Sequence, residues 1–513
     1  MSTDHTEIEW QFDATDLEAV RQWLTEHADK RKITIQPDKT RQQVDTYCDT
    51  ADWRIYHAGY ALRVRRIGEQ AEATLKSLAL AGKGQARHRR EISEDLPAGT
   101  PADDALGLLH QAHGDVGRRV HALAGKHAVR RLFELHTERC VYQLSIAGIS
   151  AGEIALDETR IIARPRGKEA HLRRVEVEVL DDSTAGLAAF VTEMCQACEL
   201  RPAMVTKFEA GLLAQRLTPT PPTHFGSTTV NDASTIGDLA LAVFRNYFSV
   251  FLEHEPGVRL DEDVEELHAM RLASAHVRAA LRLFGRVLPA PYNDMTADVK
   301  WISALLGAVR DLDVQTQWVS TNGSTHESTN NRSTSEPAHN GSANKPMLEP
   351  EMGHADAEAE ALVELNVVMG LLAEKRRVAR QAMMQALDSP RYERFKARMS
   401  TLLSHPPTWP RRANHPASAV VRDKIRSSHR KARRSGDALS PASTPADYHA
   451  LRIKLKHLRY SLEFVNEIYG KPSKRMLKRV TTLADMLGNY HDLQVIGEQL
   501  HAWQADSSLA QGT

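Results

Sequence analysis

The apolar period of this chain changes once along its length, and that change limits the folds open to it. Residues 1–215 contain short segments in which apolar and polar residues alternate. Ile8, Trp10 and Phe12 alternate with Glu7, Glu9 and Gln11, Leu62 and Val64 with Arg63 and Arg65, and Val175, Val177 and Val179 with Glu176 and Glu178. Side chains two apart share a face of an extended strand, so each segment offers one apolar face and one charged face. Beyond residue 233, apolar residues recur at spacings of three and four through 236–253, 262–286, 296–318, 360–386, 448–468 and 474–503. That is the period of helices packed in bundles. The expected class is α+β, with a strand-rich N-terminal domain and an all-α remainder.

At 513 residues the chain has room for two or three domains. Its 66 Lys+Arg and 66 Asp+Glu cancel, but they are unevenly spread. Residues 361–513 are strongly basic and residues 221–360 acidic, so the basic part calls for an anionic partner or for the acidic segment before it. Pro219, Pro221 and Pro222 followed by Gly226-Ser227-Thr228-Thr229 read as a linker over 216–232. The expected domains are 1–215 and 233–503. Within the second, a first bundle spans 233–318, a polar disordered insertion 319–357 and a second bundle 358–503, with a flexible tail at 504–513. Four cysteines are too few for a disulfide framework, and the pair Cys195 and Cys198 lacks a second pair to complete a zinc site. No apolar run is long enough to span a membrane and no secretory signal is visible, so the expected location is cytoplasmic.

The helical half contains a repeat. His268-Ala269-Met270-Arg271 recurs as His449-Ala450-Leu451-Arg452, and Leu306-Gly307-Ala308-Val309-Arg310-Asp311-Leu312 as Leu487-Gly488-Asn489-Tyr490-His491-Asp492-Leu493, at the same offset of 181. Two blocks at one offset point to two copies of one bundle.

Charge within strands needs a ligand to explain it when it is dense. Arg63 and Arg65, Lys76, Arg89 with Glu91, and Glu176 with Glu178 all fall on the charged faces. A closed sheet of such strands has a polar interior, and cations and carboxylates in one tunnel suit a polyanion bound with a divalent cation. Here the sequence resembles the CYTH, or triphosphate tunnel metalloenzyme, family. The resemblance runs through Glu7-Ile8-Glu9-Trp10-Gln11, Tyr47-Cys48-Asp49-Thr50, Gly59-Tyr60-Ala61-Leu62-Arg63-Val64-Arg65, Lys76, Arg89-Arg90-Glu91, Ala155-Leu156-Asp157, Val175-Glu176-Val177-Glu178 and Thr206-Lys207-Phe208. It implies an eight-stranded antiparallel tunnel that hydrolyses a triphosphate with Mg²⁺ or Mn²⁺. By motif, Glu7, Glu9, Asp157, Glu176 and Glu178 are the implied metal ligands. Gln11, Arg63, Arg65, Arg89, Arg139 and Lys207 are the implied phosphate clamp, and Glu7, Glu9, Lys76 and Glu91 the catalytic groups. Three departures bear on activity: Gln11 stands where the family has Lys, Ser93 where an acid is common and His136 where an Arg is usual.

His268, Arg271, Arg278 and Arg282 fall on one helix face, and so do His449, Arg452, Lys456 and Arg459. Two such stripes on related bundles can face each other across a groove. Arg376, Arg377 and Arg380, then Arg426 and Arg430, with Lys478, add to the same field. Motifs for reading bases are missing, so a chain made only of phosphates is favoured over nucleic acid. These residues resemble the CHAD (conserved histidine α-helical) domain, which implies binding of inorganic polyphosphate, including association with polyphosphate granules. Histidines beside arginines are expected to be neutral near pH 7 and to bind rather than transfer protons. The expected activity is hydrolysis of inorganic triphosphate or a similar short phosphate chain. The competing readings are a non-catalytic polyphosphate-binding or granule-targeting protein, and a thiamine triphosphatase or other organic triphosphate hydrolase.

Overall fold

The computed structural model describes residues 2–27, 33–78, 86–111, 113–165, 167–180, 184–219, 225–323 and 353–510. The chain divides into two compact units, Met1–Pro222 and Thr223–Thr513.

In the first unit the elements run β1 (Ser2–Asp13), α1 (Leu17–Glu26), β2 (Ile33–Asp49), α2 (Arg54–His57), β3 (Tyr60–Ile67), β4 (Gln70–Ser77), β5 (Arg87–Leu96), α3 (Ala102–His110), α4 (Gly114–Ala124), β6 (Arg130–Ile146), β7 (Ile149–Ile161), β8 (Ala170–Val179), α5 (Thr184–Ala197), β9 (Arg201–Pro202) and α6 (Lys207–Ala214). Strands β1 to β8 pair in the order β5-β4-β3-β2-β6-β7-β8-β1, and a further β1–β5 pairing closes the ring. Closure leaves no open edge among the eight. The apolar faces point outward and are covered by helices. Trp10, Phe12, Val175 and Val177 pack with Val20 and Leu24 of α1 and Phe190 and Met194 of α5, with Cys195 and Cys198 at the margin. Leu62, Val64, Leu75 and Ile92 pack with Leu109 of α3 and Val116 and Val120 of α4. Each such side chain, once covered, contributes about 1.5–3 kcal/mol.

The interior is not polar throughout. Helix α6 opens with a reciprocal capping box between Thr206 and Glu209 and sets Phe208 beside Tyr47 and Phe133, with ring centroids 5.4 and 6.0 Å apart respectively. Gly211 lets α6 approach the Phe133 ring, because a Cβ there would run into it.

The second unit contains α7 (Ile236–Glu253), α8 (Glu255–Leu260), α9 (Val264–Phe284), α10 (Ala290–Asn293), α11 (Thr296–Gly323), α12 (Gly353–Leu387), α13 (Pro390–Ser404), α14 (Ala417–Asp437), α15 (Pro445–Phe464), α16 (Asn466–Tyr469) and α17 (Lys471–Ala510). The sequence repeat has a structural counterpart. α7 and α14 start at Ile236 and Ala417, and α9 and α15 at Val264 and Pro445, each pair separated by the same 181-residue offset. The two copies also meet crosswise. Ile236 donates its N–H to the His415 carbonyl at 2.9 Å and Ala417 donates to Ser234 at 3.0 Å, two bonds that the offset interchanges. An approximate two-fold axis therefore passes between the copies.

Three boundaries differ from the sequence reading. Helices α11 and α12 take in 319–323 and 353–357 of the expected insertion, and the rest of it lies outside the described residues. Helix α17 runs to Ala510 through most of the expected tail; residues 511–513 lie outside the described set. Residues 358–404 do not join the second copy. Helix α12 lies along α11, and α13 packs against α7 and α10, all elements of the first copy. Their apolar faces match the first copy, which the chain order alone does not reveal. No helix among the described residues is long and apolar enough to cross a membrane.

Candidate functional site

Alternation in the ring turns every second side chain inward. Glu7, Gln11, Arg63, Arg65, Lys76, Arg89, Glu91, Arg139, Glu176, Glu178 and Lys207 surround a cavity of ≈ 120 Å³, with Tyr47 and Phe208 on its apolar side. Strands bring most of these groups; α6 brings Lys207 on its first residue, where the capping box fixes the helix start.

The cations and carboxylates are interleaved. Lys76 pairs with Glu7, and lies 3.2 Å from Glu91 and 3.6 Å from Glu9. Arg89 pairs with Glu9. Arg139 grips Asp157 through two bonds of 2.8 Å and also reaches Glu176. Lys207 pairs with Asp157 and lies 3.0 Å from Glu176. Arg63 is 3.9 Å from Glu91. Burial alone would raise the Glu91 carboxyl, but the Lys76 and Arg63 charges outweigh it and hold it at about 2. The same contest, with Lys207 and Arg139 as the cations, keeps Glu176 well below the usual carboxylate range.

Glu178 behaves oppositely. Burial, then repulsion from Glu7 and Glu153, pushes it up to about 7. Strand pairing explains the crowding, since Glu178 lies opposite Glu9 on one side and Glu153 on the other. It is the inner carboxylate whose charge the cations leave unbalanced.

These facts sort the expected metal ligands. Asp157 and Glu176 are taken up by Arg139 and Lys207, and Glu9 by Arg89. The described residues contain no group of three or more His, Cys, Asp or Glu set to enclose a metal. The pair of Glu178 and Glu7, the latter held by Lys76, does not make a closed cage. It does fit a hard cation that keeps waters and takes substrate oxygens, which is how Mg²⁺ is usually bound.

Asp45, the buried partner of the cavity residue Arg65, was missed by sequence reasoning. It is completely buried and accepts a fork from Arg65 at 2.7 and 2.9 Å. Burial favours its neutral form, but Arg65 and Arg63 hold it well below the usual carboxylate range. The signal that could have found it is register: Asp45 lies directly opposite Arg65 in the β2–β3 ladder.

The three departures have distinct outcomes. Gln11 donates to Glu9 at 3.0 Å and Glu176 at 3.3 Å, while its oxygen accepts from Arg87 at 3.1 Å. A cation thus stands directly behind the neutral side chain. Ser93 meets the Thr3 hydroxyl at 2.9 Å, leaving that stretch of wall uncharged. His136 lies opposite Val44, which alternates with inward-facing Asp45, so register puts it on the outer side and away from the cavity.

In the helical unit, α9 and α15 line a cleft of ≈ 510 Å³. His268, Arg271, Arg278, Arg282, Arg452, Lys456 and Arg459 all border it, with His457, Tyr460 and Asp485. Among the described residues, Arg271, Arg278 and Arg452 pair with no carboxylate, whereas Arg459 is 3.4 Å from both Glu463 and Asp485. Burial, then Arg310, lowers His268 below the ordinary histidine value. The approximate two-fold is visible here as well. His276 bonds Glu463 at 2.7 Å across the copies, and the offset maps this pair onto His457 and Arg282, which also touch.

The other expected cations lie elsewhere. Arg376 pairs with Asp261 and Asp313, Arg380 with Asp261 and Arg377 with Glu374. They lie on α12, which packs on the first copy. Arg426, Arg430 and Lys478 are exposed, and neither they nor His449 borders the cleft.

Comparison with known proteins agrees with both halves. The CYTH domain matches residues 5–212 and the CHAD domain residues 242–501. Among solved structures, the CHAD domain from the plant Ricinus communis is 25% identical, covering 56% of this chain and 84% of its own, with a TM-score of 0.40. The putative adenylyl cyclase HpAC1 from Hippeastrum, described as having a dominant triphosphatase activity, is 18% identical over 42% of this chain and 98% of its own, with a TM-score of 0.32. PptA from Streptomyces chartreusis is 18% identical over 52% and 85%, with a TM-score of 0.37. No curated protein matches. The chain belongs to the CHAD domain family and joins to that helical domain an N-terminal CYTH domain.

Proposed function

We propose that the N-terminal unit hydrolyses inorganic triphosphate or a similar short phosphate chain, assisted by Mg²⁺ or Mn²⁺, and that the helical unit binds polyphosphate. Water adds to a terminal phosphorus, the bridging oxygen leaves with the remainder of the chain, and triphosphate yields diphosphate and phosphate. The observation that carries this reading is the interleaved set of cations and carboxylates around one small cavity.

Each cation in that cavity already has a carboxylate partner, so a bare polyanion would gain little there. A polyanion arriving with a divalent cation adds less net charge, and Glu7 with Glu178 are the residues that would hold the metal. When bound, such a cation offsets phosphate charge and lowers the pKa of a coordinated water. Arg63, Arg65, Arg89, Arg139 and Lys207 position the chain by donating to its oxygens, with the arginines able to do so in forks. Lys76, which lies between Glu7 and Glu91, would meet charge developing on the departing oxygen.

The test is phosphate release from triphosphate, thiamine triphosphate and ATP, with Mg²⁺ or Mn²⁺ and again after chelation. Metal-dependent release from triphosphate above the other two is expected. Release unaffected by a chelator, or absent from all three, contradicts the proposal.

For the helical unit, the cleft between α9 and α15 sets six Arg and Lys side chains against a single tyrosine ring, Tyr460, a balance that suits phosphates more than bases. Replacing Arg452, Lys456 and Arg459 with Ala should weaken binding of long polyphosphate by about 100-fold or more, at about 1.5–3 kcal/mol per charged hydrogen bond. Unchanged affinity would remove the cleft from the account. Association with granules and a cytoplasmic location follow from the same reading and would be seen by imaging the tagged chain.

A further inference from the structure

The two copies of the helical repeat differ in what covers their third long helix. In the first copy, α11 presents Ile302 and Val309, both fully buried, with Leu305 and Leu312 half-buried beside them. Helix α12 lies on α11 and runs antiparallel to it. Arg376 meets Asp313 at 2.6 Å, and Met369, seven residues earlier, meets Ser320, seven residues later. Leu372 of α12 is fully buried.

Helix α17 is the counterpart of α11. Offset by 181, its equivalent positions are Leu483, Met486, Tyr490 and Leu493. These are 44%, 64%, 38% and 54% exposed. Their spacing of three, four and three makes a continuous apolar stripe, the pattern of a helix face that packs against another helix. Among the described residues no helix takes the place on α17 that α12 takes on α11. An aligned set of four exposed large apolar residues is a contact surface rather than scattered surface chemistry.

Charge along α17 points to the occupant. Its first turns carry Lys471, Lys474, Arg475, Lys478 and Arg479, and no Lys or Arg follows to the end of the helix, while Glu498 lies in the later turns. An antiparallel copy of α17 centred on the stripe would set Lys478 of each helix opposite Glu498 of the other. It would also reproduce the antiparallel α11–α12 arrangement. The same patch would serve both partners, as a two-fold interface requires.

We propose that α17 is a self-association face, on which α17 of a second copy of this chain lies antiparallel and covers Leu483, Met486, Tyr490 and Leu493. This inference rests on the repeat and on the stripe, and is independent of the activity proposed above.

Sedimentation of the full chain at micromolar concentration tests it. A dimer is expected. Met486→Glu with Leu493→Glu should raise the dissociation constant about 100-fold or more without changing helical content, and the milder pair Met486→Ser with Leu493→Ser should act in the same direction. Helix α12 carries its own exposed apolar residues, Val367 and Val378 at 57% and 52%, and Val367→Glu with Val378→Glu should leave the dimer intact. A monomeric wild type overturns the proposal. So does a dimer that survives both α17 pairs, or one that dissociates only with the α12 pair.

Discussion

At the scale of single residues, Asp45 shows how the cavity keeps its cations in place. Its carboxylate is buried completely and holds Arg65 by a fork. Removing one partner of such a pair strands the other, and Asp45→Asn should cost about 3–5 kcal/mol of unfolding free energy, read by urea titration. The pH dependence has a definite sign. The folded carboxyl is held below its unfolded value of about 3.9 by Arg65 and Arg63 against burial. Its contribution is complete above that value and lost as pH falls below it. Asp45→Asn should therefore flatten that part of the acid limb. His457 gives a second window. Burial, then Arg282 and Arg278, lower it to about 4, against about 6.5 when unfolded. Between those values the unfolded chain takes up the proton and the folded chain does not, so stability rises with pH across the interval. His457→Gln should remove that rise, measured as the thermal midpoint from pH 4 to 7.5.

At the scale of elements, Gly211 marks where α6 meets the ring. A Cβ there would strike Phe133, and Gly211→Ala should destabilise the first unit by about 1–3 kcal/mol through overpacking, seen as a lower denaturation midpoint. Much of this architecture was legible beforehand. The alternation of Glu7 and Glu9 with Ile8 and Trp10 already separates an inner from an outer face, and the recurrence of His268 and Arg271 at His449 and Arg452 already announces two copies. What was not legible depends on partners across the fold. Asp45 belongs to a segment, Gln43-Val44-Asp45-Thr46, with no strong apolar alternation, and only its position opposite Arg65 reveals it. His136 looked like a lost phosphate ligand, because a motif does not state which way a side chain faces; the ladder does. Arg376 and Arg380 looked like part of the basic field, but a count of arginines does not show that Asp261 lies within 2.8 Å of each. The polar run after residue 319 reads as a break in composition, yet α11 continues to Gly323.

At the scale of the whole molecule, two units of different architecture each gather cations around a cavity or cleft. The ring mixes cations with carboxylates around one small cavity, the feature on which the proposed metal-assisted hydrolysis rests. The helical cleft leaves Arg271, Arg278 and Arg452 without carboxylate partners among the described residues, the feature on which the proposed polyphosphate binding rests. The central claim is that the ring performs hydrolysis, and a comparison of inorganic phosphate release from triphosphate by the wild type and by Glu7→Gln with Glu9→Gln, at saturating Mg²⁺ or Mn²⁺, tests it most directly. Turnover by the wild type is expected, with a loss of at least about 100-fold in the variant, the scale of removing one preorganised electrostatic group from an active site. Equal release by the two proteins, or none by either, would contradict it.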